Sequence, residues 1–346
     1  MDNINLQLAP AKVNLGLNVI GKRPDAYHLL QSLFVPISLF DEVELLFGSS
    51  QVNCSLSPAL TTHLGLDRSA ELVLELSSEA NLVSRAISGF LERASLEDQI
   101  IGFNLKKRIP IQAGLGGGSA DAACVLRALN RHFEGALSWQ DLMDLAGDLG
   151  ADVPAGLLAC PLYGHGVGEN LIKISKGSAF WKFLSELSIV VVKPQRGVST
   201  KEAFEGLSKT KADLVEVPEP DYLDFHDKYF QTWLSELGLD FDSSRSEISG
   251  GEGLDLSKFF DLITNDFEKG LFSSRQDLRE LKETLISCGS QFNILTGSGS
   301  SMLALFDSED KALAFENKLK ELAPSSYYIA LSSVLMDATD WAVAKR

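Results

Sequence analysis

Apolar residues in the first half of the chain recur with two different periods. An alternation of apolar with small or polar residues predicts a strand over residues 7–20, interrupted at Ala9-Pro10-Ala11. Apolar residues at four-residue steps predict a helix over residues 81–94. The same reasoning predicts strands at 43–47 and 100–105, and a helix that begins at Ser138, with Asp141 three residues later as in a capping box, and ends near Gly150. The first half therefore mixes strands with helices.

The end of the chain shows a clear order of elements. An apolar strand is predicted at 189–193, where Pro194 ends it, and we place the start of a second domain shortly before it. The later predicted elements are a helix at 278–287, a strand at 291–296, a glycine turn at 297–301, a strand at 302–307, a helix at 310–322 and a strand at 327–334. This α-β-β-α-β order is part of a ferredoxin-like layout.

Residues 206–257 have a different character from the segments around them. Pro218, Pro220, many acidic residues and a run of serines and glycines at 243–253 interrupt the apolar pattern. One short helix is predicted around Trp233. We interpret the rest as a surface insertion, so that deletion of 243–253 should leave the stability of the fold nearly unchanged.

A cluster of glycines lies between a predicted strand and a predicted helix. Gly114, Gly116, Gly117 and Gly118 are followed by Ser119, which we expect to be the helix N-cap, and by an amphipathic helical stripe. Glycine allows a ligand to approach the backbone and permits positive φ angles, and we expect Gly117 to serve both purposes. Because the first turn of a helix has free N–H groups and a positive dipole end, the junction predicts an anion site, with phosphate as the anion.

The spacing separates this loop from other glycine motifs. It is not a P-loop, because no Lys-Ser or Lys-Thr follows the last glycine. It does not match a dinucleotide fingerprint either, since Ser119 stands where the third glycine belongs. A tight turn that needs glycine only for close packing is the alternative.

Composition and charge narrow the class of protein. The chain has 346 residues, 45% of them hydrophobic, and a formal net charge of −16 at pH 7. This charge disfavours nucleic acid and anionic membranes as partners, and we interpret the basic run Lys106, Lys107 and Arg108 as a solvated strand end. Four scattered cysteines without a CxxC pair, and no apolar run long enough for a signal peptide or membrane span, favour a cytoplasmic protein.

Two polar residues are candidates for phosphoryl-transfer chemistry. Lys12 lies in an apolar strand pattern on the same face as Asn14, where an ordinary solvent-facing side is the alternative. Asp152 comes directly after a helix end, where a carboxylate does not favour the helix dipole, but it could simply form a turn. Asp121 and Asp148 are rival carboxylates within predicted helices.

Four stretches of the chain resemble motifs of the GHMP kinases. They are PAKVNLGLNVIGKRPDAYHLL near the N-terminus, PIQAGLGGGSADAA in the glycine loop, GADVP around Asp152 and LTGSGSSMLALF near the C-terminus. The first departs from the family pattern at Ala26, where glycine is usual, and this departure predicts strain or a shifted turn before Tyr27. The stretches narrow the resemblance to the members that phosphorylate 4-diphosphocytidyl-2-C-methyl-D-erythritol in the non-mevalonate isoprenoid pathway.

The resemblance implies roles for individual residues. It makes Asp152 the catalytic base and Lys12 its partner, and it implies Mg²⁺ as the companion of ATP, with Ser119 as a residue that could touch the metal. The residues that it implies for ATP are Pro110, Ile111, Gln112, Ala113, Gly114, Leu115, Gly116, Gly117, Gly118, Ser119 and Ala120. Those that it implies for the substrate are Asn14, Tyr27, His28, Thr200 and Phe204. Two of these have a structural alternative, because His28 could be a structural hydrogen bonder and Phe204 a core residue.

The resemblance also implies the fold. It is α+β, a two-domain GHMP kinase fold with an N-terminal domain of the ribosomal S5 domain 2-like type and a ferredoxin-like C-terminal domain. We expect the domains to span 1–180 and 181–346, with the turn at 297–301 packed against the phosphate loop. The expected partners are ATP and a cytidine diphosphate-linked methylerythritol, bound to a monomer or homodimer. Alternatives are another kinase of the family, for mevalonate or homoserine, or a non-catalytic nucleotide or metabolite sensor.

Overall fold

A computed structural model describes residues 6–211, 214–218, 222–250 and 256–337, although it gives no side-chain detail for 222–227 and 256–258. The elements in these ranges are β1 (Leu6–Lys22), β2 (His28–Phe47), β3 (Ser49–Leu56), α1 (Pro58–Leu64), α2 (Leu66–Leu76), α3 (Leu82–Arg93), β4 (Ile101–Lys107), α4 (Gly117–His132), α5 (Trp139–Leu149), α6 (Val153–Leu158), β5 (Leu162–Gly166), β6 (Asn170–Ile174), α7 (Ala179–Glu186), β7 (Ser188–Lys193), α8 (Thr200–Thr210), α9 (Tyr222–Leu237), β8 (Leu239–Asp242), β9 (Glu247–Gly250), α10 (Leu256–Leu262), α11 (Phe267–Ser274), α12 (Gln276–Cys288), β10 (Phe292–Leu295), β11 (Met302–Phe306), α13 (Glu309–Leu322) and β12 (Tyr328–Ser333).

The two longest strands form the base of the first sheet. β1 pairs antiparallel with β2 along almost its whole length. The predicted interruption at Ala9-Pro10-Ala11 is wrong, because β1 passes through it with a shift of register between Pro10 and Lys12. Such a bulge accommodates proline without ending the strand, and it re-aims the side chains that follow.

The first sheet carries its helices on an apolar face. Its strands run in the order β3-β4-β2-β5-β6-β9-β8, with β1 paired to β2. Helices α3, α4 and α5 pack there around a core that includes Phe90, Phe103 and Leu126. The predicted cap of α5 is confirmed, since the side chain of Ser138 accepts from the Asp141 N–H, and in α3 the side chain of Asn81 accepts from the Val83 N–H in the same way.

The second sheet has the predicted layout. Its four strands run antiparallel in the order β10-β11-β7-β12, and α12 and α13 connect them in the βαββαβ manner. Each of the predicted elements beyond residue 278 is present within two residues of its expected bounds. The apolar run of β7 is buried along its whole length, which explains why it has no alternation of polar residues.

The interpretation of residues 206–257 as a surface insertion is wrong for the residues that the structure describes. The helix predicted as short, α9, spans sixteen residues. Its Phe230, Leu234 and Leu237 lie in the central core, together with Ile248 of β9. β9 also pairs with β6, which extends the first sheet. The serine- and glycine-rich composition gives no indication that this segment contributes to the core. A strand needs an apolar residue only at every second position, and a helix at about every fourth, to supply core contacts.

The boundary between residues 180 and 181 stays a prediction. The extension of the first sheet by β8 and β9 shows that residues of the second half also complete the first layer. Among the described residues, the helices include none with the length and apolar character required to cross a bilayer.

Ile248 tests whether this segment is part of the core. Ile248 is fully buried, so Ile248→Ala removes apolar contacts and leaves a cavity in the centre of the fold. We expect the free energy of unfolding to fall by about 2–5 kcal/mol in urea titrations. Asp240→Ala, an exposed change on neighbouring β8, is the matched control and should change it by about 0.5 kcal/mol or less. Equal stability of wild type and Ile248→Ala would show that the segment is peripheral.

Candidate active site

A cleft of about 1090 Å³ lies where the glycine loop, β1 and the start of α8 meet. It brings together nearly all of the residues that the sequence assigns to ATP and substrate. The predicted residues that line it are Lys12, Asn14, Tyr27, His28, Pro110, Ile111, Gln112, Ala113, Gly114, Leu115, Gly116, Gly117, Gly118, Ser119, Asp152, Thr200 and Phe204. Ala120 is the exception, because it is buried in the core beneath the loop. The cleft is large enough for two extended ligands.

The glycine loop turns into α4 through a left-handed residue. Gly116 is the N-cap with φ +63°, and it provides no side chain for a capping bond. The prediction of Ser119 as N-cap is therefore wrong, since Ser119 lies in the first turn of the helix. A glycine in the left-handed region lets the chain enter the helix directly and leaves the N–H groups of the first turn without side-chain acceptors.

The expectation of a positive φ angle at Gly117 is also wrong. Gly117 does not have a positive φ angle, and a Cβ there would lie 2.9 Å from Ile109 Cγ2 and 3.3 Å from Lys107 Nζ. Its missing side chain therefore makes room for residues beneath the loop, and the close approach of a ligand to Gly117 stays a prediction. Gly116 has a comparable role towards the catalytic candidate, since a Cβ there would lie 2.9 Å from Lys12 Cγ.

The glycine turn at 297–301 packs against the phosphate loop, as predicted. A Cβ at Gly114 would collide with the carbonyl oxygen of Thr296, and one at Gly297 would lie 3.0 Å from the carbonyl oxygen of Gly114. The Ser301 N–H donates to the carbonyl of Ala113 at 3.2 Å. Backbones that approach this closely exclude any side chain, which explains the glycine in each turn.

Lys12 and Asp152 form an ion pair at the end of the loop. Lys12 Nζ lies 3.3 Å from Asp152 Oδ2 and donates to Asn14 Oδ1 at 2.8 Å. The two side chains are 16% and 38% exposed, so both remain accessible to a ligand in the cleft. The backbone N–H of Lys12 donates to the carbonyl of Leu115 at 3.0 Å, which fixes the lysine relative to the phosphate loop.

Asp152 lies between two helices. It follows α5 but is also the N-cap position of α6, where its side chain makes no capping hydrogen bond. The negative dipole end of α5 disfavours the Asp152 carboxylate, but the positive dipole end of α6 is adjacent to it and favours its negative charge. Neither rival carboxylate lines the cleft: Asp148 pairs with Arg93 at the surface, and Asp121 is buried.

Asn14 is more constrained than the sequence predicts. Only 1% of it is exposed, its Nδ2 donates to Ser32 Oγ at 2.6 Å, and its backbone N–H donates to Thr296 Oγ1 at 2.8 Å. Its Oδ1 is already occupied by Lys12. Asn14 thus orients the lysine. Sequence reasoning missed its supports Ser32 and Thr296, because their separation along the chain leaves no local signal.

Three aromatic side chains lie at the other end of the cleft. His28 stacks on Phe204 of α8, with ring centroids 4.5 Å apart. Tyr27 beside them is 63% exposed. Burial, assisted by the charge of Lys22, lowers the pKa of His28, which keeps its ring neutral at pH 7. A neutral imidazole offers one donor and one acceptor to a ligand.

The basic run before the glycine loop divides between surface and interior. Lys106 and Arg108 pair with Glu42 at the surface. Lys107 is only 2% exposed, so the interpretation of the whole run as a solvated strand end is wrong for this residue. Its partners are the buried carboxylates of Asp41 and Asp121.

Comparison with known proteins identifies the family. The model of the GHMP kinases N terminal domain matches residues 81–160, and that of the GHMP kinases C terminal domain matches residues 251–325. A protein of Pelodictyon phaeoclathratiforme named 4-diphosphocytidyl-2-C-methyl-D-erythritol kinase is 33% identical over 92% of this chain and 96% of its own length. A Bacteroides fragilis protein of the same name is 32% identical over 90% and 98%. The chain belongs to the 4-diphosphocytidyl-2-C-methyl-D-erythritol kinases of the GHMP kinase family.

Solved structures agree with this kinase fold. A crystal structure described as 4-(cytidine 5'-diphospho)-2C-methyl-D-erythritol kinase superposes with a TM-score of 0.64 at 28% identity, over 95% of this chain and 99% of that one. The mevalonate kinase of Methanococcus jannaschii has the same TM-score at 15% identity, over 95% and 98%, which shows the shared fold alone. The predicted family and fold class are thus confirmed.

The departure of this kinase from the family pattern at Ala26 has a structural consequence. Ala26 has φ +72°, in the left-handed region that glycine adopts without strain. The turn remains closed, since the Arg23 N–H donates to Tyr27 O and the Ala26 N–H to Arg23 O. These hydrogen bonds hold alanine in a backbone conformation that is unfavourable for it, so strain at this turn stays a prediction.

Ala26→Gly tests this strain. The substitution removes the Cβ that disfavours the left-handed region, so we expect the free energy of unfolding to rise by about 1 kcal/mol in thermal or urea unfolding. Ala136→Gly, at an exposed loop position without a positive φ, is the control and should lower it by roughly 0.4–1 kcal/mol through the unfolded chain. If both substitutions lower stability equally, the left-handed conformation at Ala26 carries no strain.

Proposed function

We propose that the protein transfers the γ-phosphoryl group of ATP to the 2-hydroxyl of 4-diphosphocytidyl-2-C-methyl-D-erythritol. The observation that carries this proposal is the arrangement within one cleft. The Lys12–Asp152 ion pair lies beside the glycine loop, and the aromatic side chains of Tyr27, His28 and Phe204 line the same cleft. The relatives of this chain are named as kinases of the same substrate.

We propose that the phosphates of ATP lie against the loop at 110–119. The first turn of α4 lines the cleft, and the free N–H groups and the dipole at this end of a helix provide positive potential. Among the described residues there is no cluster of three or more His, Cys, Asp or Glu side chains that could hold a metal. This fits Mg²⁺, which binds proteins through one or two side chains together with substrate phosphates. The Ser119 hydroxyl and the Asp152 carboxylate are the groups available for it, and the ion neutralises phosphate charge when bound.

Asp152 is the base in this proposal. As the 2-hydroxyl oxygen attacks the γ-phosphorus, its proton passes to the Asp152 carboxylate, and the bond from the γ-phosphorus to the bridging oxygen breaks to release ADP. Lys12 holds the carboxylate in place and adds positive charge close to the transferred group. Asn14 fixes the direction of the Lys12 ammonium, so the strand rather than a loop controls the geometry.

The cytosine ring of the substrate binds at the aromatic end. The 4.5 Å stack of His28 on Phe204 leaves no space for a third ring between them, so the exposed face of Tyr27 is the platform for the base. Neutral His28 forms hydrogen bonds with the edge of the base, and Phe204 holds the imidazole in place. Thr200 at the start of α8 is the additional hydroxyl on this side.

Cytoplasmic location and the state of assembly remain predictions. The four cysteines are free, which suits a reducing compartment. A sensor without activity is the alternative function, and it has no need of a carboxylate that is paired with lysine and accessible to a ligand.

Asp152→Asn distinguishes a kinase from a sensor. The amide keeps the shape of the side chain but removes the proton acceptor and the charge facing Lys12. We expect kcat to fall by about 10²–10⁴ with smaller changes in the dissociation constants of both ligands, measured by ADP release and calorimetry. A residual rate from positioning is expected, because a loose transition state needs little early proton removal.

A nearby carboxylate provides the control for this variant. Asp148→Asn changes a surface aspartate that pairs with Arg93, and its kcat should equal that of wild type. Near-normal turnover in Asp152→Asn would remove Asp152 from the mechanism. Wild-type protein that binds both ligands but never releases ADP would support the sensor instead.

Phe204→Ala tests the aromatic end of the cleft. Loss of the ring frees His28 and weakens the site for the base, so KM for the cytidyl substrate should rise roughly 5- to 100-fold with a smaller effect on kcat. Phe204→Trp keeps an aromatic face and should recover most of the affinity. An unchanged KM in Phe204→Ala would assign this ring to the core alone.

A further inference from the structure

A buried charge cluster lies directly beneath the glycine loop. Lys107 Nζ forms ion pairs with Asp41 and with Asp121 Oδ2, the latter at 2.6 Å. The three side chains are 3%, 0% and 2% exposed. Lys107 also lines the wall of the cleft, and its Nζ lies 3.3 Å from the position of a Cβ on Gly117. Buried ion pairs cost desolvation energy, so they contribute little net stability by themselves.

The cluster connects the two ends of the loop. Lys107 is the last residue of β4, and Asp121 lies in the second turn of α4, with the loop between them. Asp41 of β2 also accepts hydrogen bonds from the backbone N–H groups of Arg108 and Ile109. The ammonium group of Lys107, at the start of the loop, therefore ties it to Asp121 at the end of the loop and to Asp41 in the sheet.

The two carboxylates of the cluster have unequal surroundings. Asp41 accepts two backbone N–H bonds in addition to Lys107. Asp121 Oδ1, by contrast, has no hydrogen-bond partner among the described residues. A single ammonium cannot balance two buried anions, so the environment favours one proton on Asp121. Burial, opposed by Lys107 and reinforced by Asp41, raises the pKa of Asp121 well above its ordinary value.

The other titratable groups that face the cluster do not supply the missing charge. They are the thiols of Cys54 and Cys124 and the hydroxyl of Tyr328, and burial raises the pKa of each. All three are therefore neutral at pH 7. The guanidinium of Arg108 is paired with Glu42 at the surface.

We propose that Lys107, Asp41 and Asp121 form a positioning cluster that holds the glycine loop in the shape that receives the phosphates of ATP, with Asp121 as its neutral, protonated member. This inference rests on the proposed function, since it takes ATP to occupy the loop. An ionised Asp121 would place an unbalanced negative charge beneath a polyanion. A protonated Asp121 leaves the cluster with no net charge.

Paired substitutions test which carboxylate carries the proton. Asp121→Asn imitates the neutral acid, so its melting temperature at pH 8 should equal or exceed that of wild type, whereas Asp41→Asn should lower it. The sign follows from linkage: a raised native pKa contributes stability below the unfolded pKa of about 3.9, and this stability is lost as the pH rises through the native value. The stability of wild type should therefore fall relative to that of Asp121→Asn as the pH rises above about 3.9, because the carboxamide of the variant does not titrate. Equal slopes, or Asp41→Asn as the more stable variant, would overturn the assignment.

The positioning role is tested by ATP binding. Lys107→Met leaves buried carboxylates without a partner and could prevent folding, so it is compared with the uncharged triple variant Lys107→Met, Asp41→Asn, Asp121→Asn. In calorimetry without the second substrate, the triple variant should bind ATP at least about tenfold more weakly and keep its affinity for the cytidyl substrate. Lys106→Met, on the same strand with its side chain at the surface, is the control and should bind ATP as wild type does.

The outcomes separate this inference from the proposed function. Wild-type protein that fails to bind ATP would refute the proposed function itself. ATP binding of equal strength in wild type and in the folded triple variant would refute the positioning role alone. A similar loss of affinity for both ligands would indicate a general structural effect and would also overturn the inference.

Discussion

The backbone of β1 between Lys12 and Asn14 is the support on which the candidate active site depends. Within three residues, it donates one hydrogen bond to the phosphate loop at Leu115 and another to Thr296, beside the second glycine turn. The side chains of the same residues form the Lys12–Asn14 hydrogen bond and the ion pair with Asp152. Because a paired strand moves little, elements distant in the sequence keep fixed positions relative to the phosphate loop.

The glycines of the site serve two different physical purposes. Gly116 is needed for its backbone conformation, since it begins α4 with a left-handed φ, and also for the space that Lys12 occupies beside it. Gly117 is needed for space, because Lys107 and Ile109 lie where a side chain would be. Gly114 likewise combines both purposes, with φ +73° and a direct approach to the backbone next to the second glycine turn. A run of glycines therefore marks a place where several close contacts within the protein meet.

Local sequence patterns were sufficient for much of the fold, and the family motifs for most of the cleft. The βαββαβ order of the second sheet follows from signals within a few residues of each element. The error at 206–257 arose because the burial of Ile248 depends on pairing with β6, which no local pattern reveals. Likewise, nothing in the basic run indicates that Lys107 is buried, and the motif around Asn14 does not show that Ser32 engages its amide. These facts depend on partners far along the chain, so they require the folded structure.

The charge of the protein also explains how an anion is accommodated. The chain carries −16, and the lysine and aspartate side chains among the described cleft residues are Lys12, Lys107, Asp25 and Asp152, which balance formally. Attraction of phosphates therefore cannot come from net side-chain charge. In the proposed function it comes from the N–H groups and dipole of α4, which have a fixed direction and need no counter-ion. Such a site works only if the loop keeps its shape. The buried cluster of Lys107, Asp41 and Asp121 beneath the loop meets this need, and because its charges balance internally it adds no negative charge that would repel the phosphates.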